Sequence, residues 1–350
     1  MTVQNHPALT HGGPDALGVP LYDFSTNSNA CGPCPHALVA VQQADATRYP
    51  DPQYTALKAE LAAFHNVNPT RIVLAASASE FIHRISAWVA RSGRMSGGCG
   101  DSEDGNDNDN GGMTSVCFPQ HHYGDYAQAA QAWGLPVTAD PSRATLLWCC
   151  EPSSPLGQPQ ADMAAWVDSV RPHQQAVLDC AYAPLRLSGT PSLNAAQMNA
   201  VWQLWTPNKA LGLTGIRAAY AIAPQGVEPA VRALTALSPS WPIGAHGVAL
   251  LYAWCRAPSQ QWLTRTLPIL RAWKAQQVAQ CTSWGWQVLP SEANFFVARP
   301  GVGDFPAWLH TLRNHGIKLR DATSFGLPGH VRLGVLPPQA LEQVFQHTPC

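Results

Sequence analysis

Charge is scarce in this chain. Lysine, arginine, aspartate and glutamate make up 12% of its 350 residues, and the formal net charge is −1. Without a basic excess there is no electrostatic footprint for nucleic acid or for an anionic membrane surface. Long apolar runs are missing too, since nothing approaches the ~18 consecutive apolar residues of a membrane span. The stretch from Met1 to Thr10 lacks a basic segment followed by an apolar one, so export is not expected and a cytoplasmic setting is. Cysteine occurs ten times but without a framework. Cys31-Gly32-Pro33-Cys34 is a lone C-x-x-C with no second pair at zinc spacing. Cys149-Cys150 lie in an apolar run, so reduced structural thiols are the expectation.

What is present is a globular balance, with 46% hydrophobic residues and enough length for one large and one smaller domain. From Tyr54 onward, stretches of helical spacing alternate with short apolar runs. Arg71 to Ala75, Val116 to Pro119, Ala144 to Cys150, Gln175 to Leu178, Ala200 to Trp205 and Ala218 to Ala223 read as strands. Tyr54 to Phe64, Phe81 to Arg91 and Gly124 to Trp133 read as helices. Fully apolar strands alternating with helices predict an α/β fold, with a mostly parallel central sheet and helices on both faces. After Pro239 a long helical stretch leads to strands at Gln287 to Leu289, Asn294 to Ala298 and His330 to Gly334, the texture of a smaller α+β domain. The expected division is an N-terminal arm over 1–45 packing on the smaller domain, a large domain over 46–238, and the small domain over 239–350. Ser92 to Ser115, rich in Gly, Asp, Asn and Ser, reads as a flexible surface insertion. Its acidic run lacks the alternating Asp pattern and closing Glu of a calcium loop, and His121-His122 have no third ligand in view, so no metal is expected.

In open parallel sheets ligands bind beyond the carboxyl ends of strands, and four groups fall there. Ser77-Ala78-Ser79 precedes a helix and can hold an anion at its positive end. Asp179 ends a strand with Tyr182 one short turn on, and Lys209 and Arg217 follow the next strand. Taken singly these have plain structural readings: a serine cap, a turn aspartate, a solvated lysine–arginine pair. Their order meets a chemical demand. Pyridoxal phosphate needs a lysine for its aldehyde, a carboxylate for its ring nitrogen, a phenol near its ring oxygen, and donors for its phosphate.

In these motifs the chain resembles the fold-type I pyridoxal-phosphate enzymes of the class I/II aminotransferase group. Within that group it looks most like the threonine-phosphate decarboxylases of cobalamin biosynthesis, relatives of histidinol-phosphate aminotransferase. His11-Gly12-Gly13 and Asp23-Phe24-Ser25-Thr26-Asn27-Ser28-Asn29 resemble the decarboxylase opening, and Arg48-Tyr49-Pro50-Asp51-Pro52 resembles the segment whose tyrosine reaches the partner subunit's cofactor phosphate. Ala78-Ser79-Glu80 is similar to the phosphate turn, and Tyr123 in Tyr123-Gly124-Asp125-Tyr126 to the aromatic stacked on the pyridine ring. The resemblance gives Asp179 and Tyr182 to the ring nitrogen and ring oxygen. It gives Thr206 and Arg217 to the phosphate and Lys209 to the Schiff base. Asn294-Phe295-Phe296, Arg320 and Arg332 resemble the substrate-binding half.

Two departures stand out. The turn Glu151-Pro152-Ser153-Ser154-Pro155-Leu156-Gly157 carries Ser154 where the family has an asparagine that donates to the ring oxygen. Ala30 and Cys31 replace a Pro-Leu pair. The resemblance implies decarboxylation of L-threonine O-3-phosphate to (R)-1-amino-2-propanol O-2-phosphate. Arg320 and Arg332, with His11 and Asn29, would then hold the substrate phosphate. The alternatives are an aminotransferase of the histidinol-phosphate or aromatic amino acid type, and a non-catalytic binding relative. The implied assembly is a homodimer with shared sites, because Tyr49 serves the neighbouring subunit.

Overall fold

The computed structural model describes residues 11–96 and 114–348. Most of the expected insertion therefore lies outside the described residues. Its first residues, from Ser92 to Ser96, continue the helix Ala78–Ser96, which runs a turn further than its apolar spacing suggested.

The strands, in chain order, are β1 (Tyr22–Asp23), β2 (Ile72–Ala75), β3 (Val116–Cys117), β4 (Leu146–Cys150), β5 (Gln175–Asp179), β6 (Trp202–Trp205) and β7 (Ala219–Ile222). They continue as β8 (Gln287–Val288), β9 (Phe295–Arg299), β10 (Ile317–Lys318), β11 (Arg320–Asp321) and β12 (Val331–Gly334). Six of them form the main sheet in the order β2-β7-β6-β5-β4-β3. The pairs β3–β4, β4–β5 and β5–β6 are parallel, whereas β7 runs antiparallel to both of its neighbours. The expectation of a mostly parallel sheet holds, with β7 as the reversed member.

Alternation along β2 shows why the sheet needs helices on both faces. Ile72 and Leu74 pack into one apolar cluster with Tyr220, Leu250 and Trp254. Val73 and Ala75 pack into another with Phe81, Tyr126 and Trp202. Successive side chains leave a strand on opposite faces, so a strand apolar at every position demands cover on both. The helix Gly124–Trp133 ends where Gly134 takes φ 67°, a left-handed turn that glycine adopts without a Cβ penalty.

A second, antiparallel sheet has the order β11-β12-β9-β8, and β1 pairs with β10 beside it. The described part of the arm divides between the two halves: Cys34, Ala37 and Val41 pack with Ile72, Leu211 and Leu250, whereas β1 joins this one. Phe24 is fully buried against Phe296, Trp308 and Leu333, because β1 pairing carries the arm inward. The helices Ala245–Cys255 and Ala257–Ser283 also bridge the composition change at Pro239, since Leu250, Trp254, Leu263 and Leu270 share a cluster with Ile72 and Tyr220.

The two sheets are clamped at the segment before β9. Arg186 pairs with both Glu151 and Glu292. Lys274 donates to the carbonyls of Ser291 and Ala293 at 2.5 and 2.7 Å. Arg271 Nε donates to the Leu187 carbonyl at 2.6 Å. This clamp sets β9 and β12 over the carboxyl ends of β4 and β5.

Candidate active site

Strand register gathers the candidate groups at one edge of the main sheet. Cys150 pairs with Asp179, Asp179 with Leu204, Trp205 with Tyr220, and Ala75 with Ala219. The segments that follow β2, β4, β5 and β6, and the one that precedes β7, therefore share that edge. They carry Ala78 and Ser79, Ser154, Asp179 with Tyr182, Thr206 with Lys209, and Arg217 respectively.

Lys209 lies in a hydrogen-bonded turn. Leu211 N–H donates to the Pro207 carbonyl and Leu213 N–H to the Asn208 carbonyl. Gly212 at φ +68° closes the turn against the arm, where an added Cβ would meet the Gly32 carbonyl oxygen at 2.6 Å. The Lys209 ammonium stands 5.2 Å from the centre of the Tyr182 ring. Three residues earlier the Thr206 hydroxyl is buried without a hydrogen-bond partner. Arg217 is exposed and makes no side-chain hydrogen bond or ion pair among the described residues. Ser79 sits in the first turn of Ala78–Ser96, its hydroxyl 3.4 Å from the Tyr123 hydroxyl.

Asp179 is buried at the end of β5. It accepts from the Tyr126 hydroxyl at 2.7 Å and from the Ala181 N–H at 2.9 Å. Burial raises its pKa, and these two donors and Lys209 pull it back. Tyr126 is itself fully buried, stacked on Trp148 at 4.5 Å. The sequence quoted Tyr126 without giving it a role. Its position one helical turn after Tyr123 was the signal. The Tyr123 hydroxyl is also pushed up by burial, with Asp125 adding to the shift.

Above this edge sit two buried arginines. Arg320 and Arg332 are direct cross-strand partners of β11 and β12. Both guanidinium groups pack on Phe325, at 4.6 and 5.4 Å from its ring centre. Arg320 donates to Ser324 Oγ at 2.8 Å, and Arg332 donates to Ser154 Oγ at 3.4 Å and to the Ser25 carbonyl at 3.2 Å. Arg332 Nε is buried without a partner. Neither arginine forms an ion pair among the described residues. Burial lowers the Arg320 pKa to about 10, the neighbouring Arg332 charge adding to the effect, and burial also lowers that of Arg332. The ring distances place the two charges within about 10 Å of each other, where like charges repel by at least about 1.5 kcal/mol at an effective dielectric of 20.

Not every expected residue joins this group. Asn29 is a correction. Its amide donates to the Ala210 carbonyl at 3.2 Å and to Thr266 Oγ1 at 2.9 Å, while its oxygen accepts from Cys31 N–H. With every donor consumed, it braces the Lys209 turn and has nothing left for a substrate. His11 is exposed and makes no hydrogen bond among the described residues. It stands beside Gly12, where a Cβ would meet the Ser25 carbonyl oxygen at 2.2 Å, the atom that also accepts from Arg332. Tyr49 lies apart from its own chain's site, 78% exposed and stacked on Trp241 at 4.3 Å. His121 and His122 spend their Nδ1 atoms on the Phe325 and Pro119 carbonyls, and no cluster of metal-ligating side chains occurs among the described residues.

A residue the sequence passed over is Asn27, which donates to the Tyr182 hydroxyl at 3.2 Å while its own oxygen is buried and unpartnered. The sequence signal was its place in the opening motif, which does not tell one asparagine from the next.

The chain is similar to known proteins over most of its length. The family profile described as Aminotransferase class I and II matches residues 125–347. A histidinol-phosphate aminotransferase of Thiobacillus denitrificans is 27% identical over 340 residues, covering 89% of this chain and 80% of its own. The crystal structure of histidinol-phosphate aminotransferase from Sinorhizobium meliloti in complex with pyridoxal-5'-phosphate superimposes with a TM-score of 0.76 at 20% identity, over 96% of this chain and 93% of that one. L-threonine-O-3-phosphate decarboxylase from Porphyromonas gingivalis superimposes with a TM-score of 0.75 at 20% identity, over 93% and 98% of the two chains.

Proposed function

The chain belongs to the class I and II aminotransferase family, and we propose that within it the protein decarboxylates L-threonine O-3-phosphate to (R)-1-amino-2-propanol O-2-phosphate in cobalamin biosynthesis. The cofactor is pyridoxal 5'-phosphate, and the residues present fit it. Buried Asp179, already held by two donors, suits a protonated ring nitrogen. The buried Thr206 hydroxyl and Arg217, whose side chains have no partner among the described residues, and the start of the Ala78–Ser96 helix suit a phosphate. When bound, this group supplies an electron-accepting ring for the bond broken at the substrate's α-carbon. Lys209 provides the amine that holds it and a proton carrier beside the α-carbon. Tyr182 would provide the phenol and Tyr123 a stacking face, with Ser154 nearby on the segment that follows β4.

The observation that favours a phosphorylated substrate is the buried Arg320–Arg332 pair, which forms no ion pair among the described residues. A carboxylate would neutralise one of two charges and leave the other buried. A phosphoryl group carries about −1.5 to −2 at neutral pH and answers both. Anchored by its phosphate, the substrate keeps its own carboxylate free of an arginine grip, so it can stand perpendicular to the ring, the orientation that carbon dioxide loss requires. His11 precedes Gly12, which packs on the Ser25 carbonyl that accepts from Arg332, and in this reading it would add a donor.

A second reading, a histidinol-phosphate or aromatic aminotransferase, draws on the names of the curated relatives. The assay is direct. Cofactor-loaded protein is mixed with L-threonine O-3-phosphate, and carbon dioxide is measured beside keto-acid formation from 2-oxoglutarate with histidinol phosphate. Carbon dioxide with no amino transfer supports the decarboxylase, and amino transfer without carbon dioxide overturns it. Replacing Arg320 by methionine should lower kcat/KM by at least about thirty-fold, the lower end of the ~2–5 kcal/mol for one buried member of a charge pair. It should have little effect on residual turnover of unphosphorylated threonine.

The protein is further proposed to be a cytoplasmic homodimer in which Tyr49 reaches the neighbouring subunit's cofactor phosphate, which accounts for its exposure in the single chain. A monomer on gel filtration of the active form would contradict that.

A further inference from the structure

The Tyr182 hydroxyl has one proton and two lone pairs to place. Asn27 Nδ2 donates into one lone pair at 3.2 Å. No acceptor for the tyrosine's own proton lies among the described residues, so that proton is free to point into the site. Asn27 is well fixed for this task. It is 2% exposed, and its main-chain carbonyl accepts from Asn294 Nδ2 at 3.2 Å, which holds the backbone that carries it. The Tyr182 ring is locked edge-on against Phe295 at 4.7 Å.

The neighbouring Ser154 Oγ accepts from Arg332 and makes no bond to Tyr182. Among the described residues, the side-chain hydrogen bond that fixes the Tyr182 hydroxyl is therefore the one from Asn27. We infer that Asn27 is a positioning residue that fixes Tyr182 as a hydrogen-bond donor toward the cofactor's ring oxygen. This rests on the cofactor reading above and extends it to a residue that touches the ring only through Tyr182.

The test is spectroscopic. A donor on the ring oxygen shares its negative charge and loosens its hold on the Schiff-base proton. Removing the donor therefore raises the pH at which the yellow form loses that proton. Cofactor-loaded wild type, Asn27→Leu, Tyr182→Phe and the double variant are titrated by absorbance, with far-UV circular dichroism confirming the fold. Asn27→Leu should raise the midpoint by about 0.5–1 pH unit, the size of one neutral hydrogen bond. Tyr182→Phe should raise it at least as far, and the double variant no further than Tyr182→Phe alone.

Adding Ser154→Asn to Asn27→Leu, which supplies an independent donor, should bring the midpoint back toward wild type. An unchanged midpoint in Asn27→Leu, or a double variant that shifts by the sum of the singles, overturns the inference. Should Asn27→Leu not fold, Asn27→Ser takes its place under the same criteria. A wild type without yellow absorbance after cofactor addition overturns the cofactor reading itself, an outcome distinct from the others.

Discussion

Replacing Tyr126 by phenylalanine removes a single oxygen from the interior and nothing else. The ring stays stacked on Trp148 at 4.5 Å, and what disappears is the 2.7 Å hydrogen bond to Asp179 Oδ2. With a neutral carboxyl that bond contributes about 1 kcal/mol, and with a carboxylate about 1.5–3 kcal/mol. The penalty is therefore pH dependent, and its sign follows from Asp179. Burial raises its folded-state pKa above the ordinary carboxylate value, so it stabilises the fold below that value and loses this contribution as pH rises through the folded pKa. Losing the Tyr126 donor raises the folded pKa further, because that donor was holding it down. Between the two folded pKa values the variant's deficit grows by about 1.4 kcal/mol per pH unit.

On the cofactor-free protein, the variant should be destabilised by about 1 kcal/mol at a pH where Asp179 is protonated in both proteins, and by about 2 kcal/mol or more at a higher pH where it is ionised in both. With ~2.1 cal/mol/K of unfolding entropy per residue, 2 kcal/mol corresponds to a Tm fall of about 3 °C for a chain of 350 residues. Affinity for pyridoxal phosphate should weaken roughly ten-fold or more, since a less ionised Asp179 holds the ring nitrogen poorly. Paired thermal melts at the two pH values decide the matter. An equal deficit at both, or a larger one in acid, would refute the claim that Tyr126 stabilises a buried carboxylate.

Two further expectations concern the framework. The Tyr220 hydroxyl accepts from Trp254 Nε1 at 3.0 Å, so its proton goes to His65 Nε2 at 2.7 Å, and burial pushes the His65 pKa down to about 4. As pH falls from about 6.5 toward 4 the unfolded chain takes up a proton that the folded one refuses. Stability should then drop by about 2–3 kcal/mol, and His65→Gln should flatten this part of a urea-unfolding pH profile. Replacing Arg186 by methionine strands Glu151 and Glu292 without their shared cation. It should cost about 3–5 kcal/mol in equilibrium unfolding.

Much of the main sheet was legible because β2, β3, β4 and β7 are apolar at every position and β5 and β6 nearly so, a pattern that suits a twice-covered sheet. β4 and β5 and the helix Gly124–Trp133 fall where their periodicity put them. The reversal of β7 was not legible, since an apolar run has no direction until its neighbours pair with it. Nor was the route of the arm, where Phe24 is buried beside the pairing of β1 with β10.

In the site, the residue types and their order along the chain came from the sequence alone: Lys209 after one strand, Asp179 and Tyr182 after another, two arginines near the end. Such groups are recognisable because their chemistry is scarce and their spacing follows strand ends. What each one touches was decided by tertiary structure. Asn27 and Asn29 are two residues apart and chemically identical, yet one donates to Tyr182 and the other ties the lysine turn to Thr266. Ser154 faces an arginine that is 178 positions away in sequence. A hydrogen bond lives within about 3 Å, and no local pattern fixes which distant atoms the folded chain brings that close.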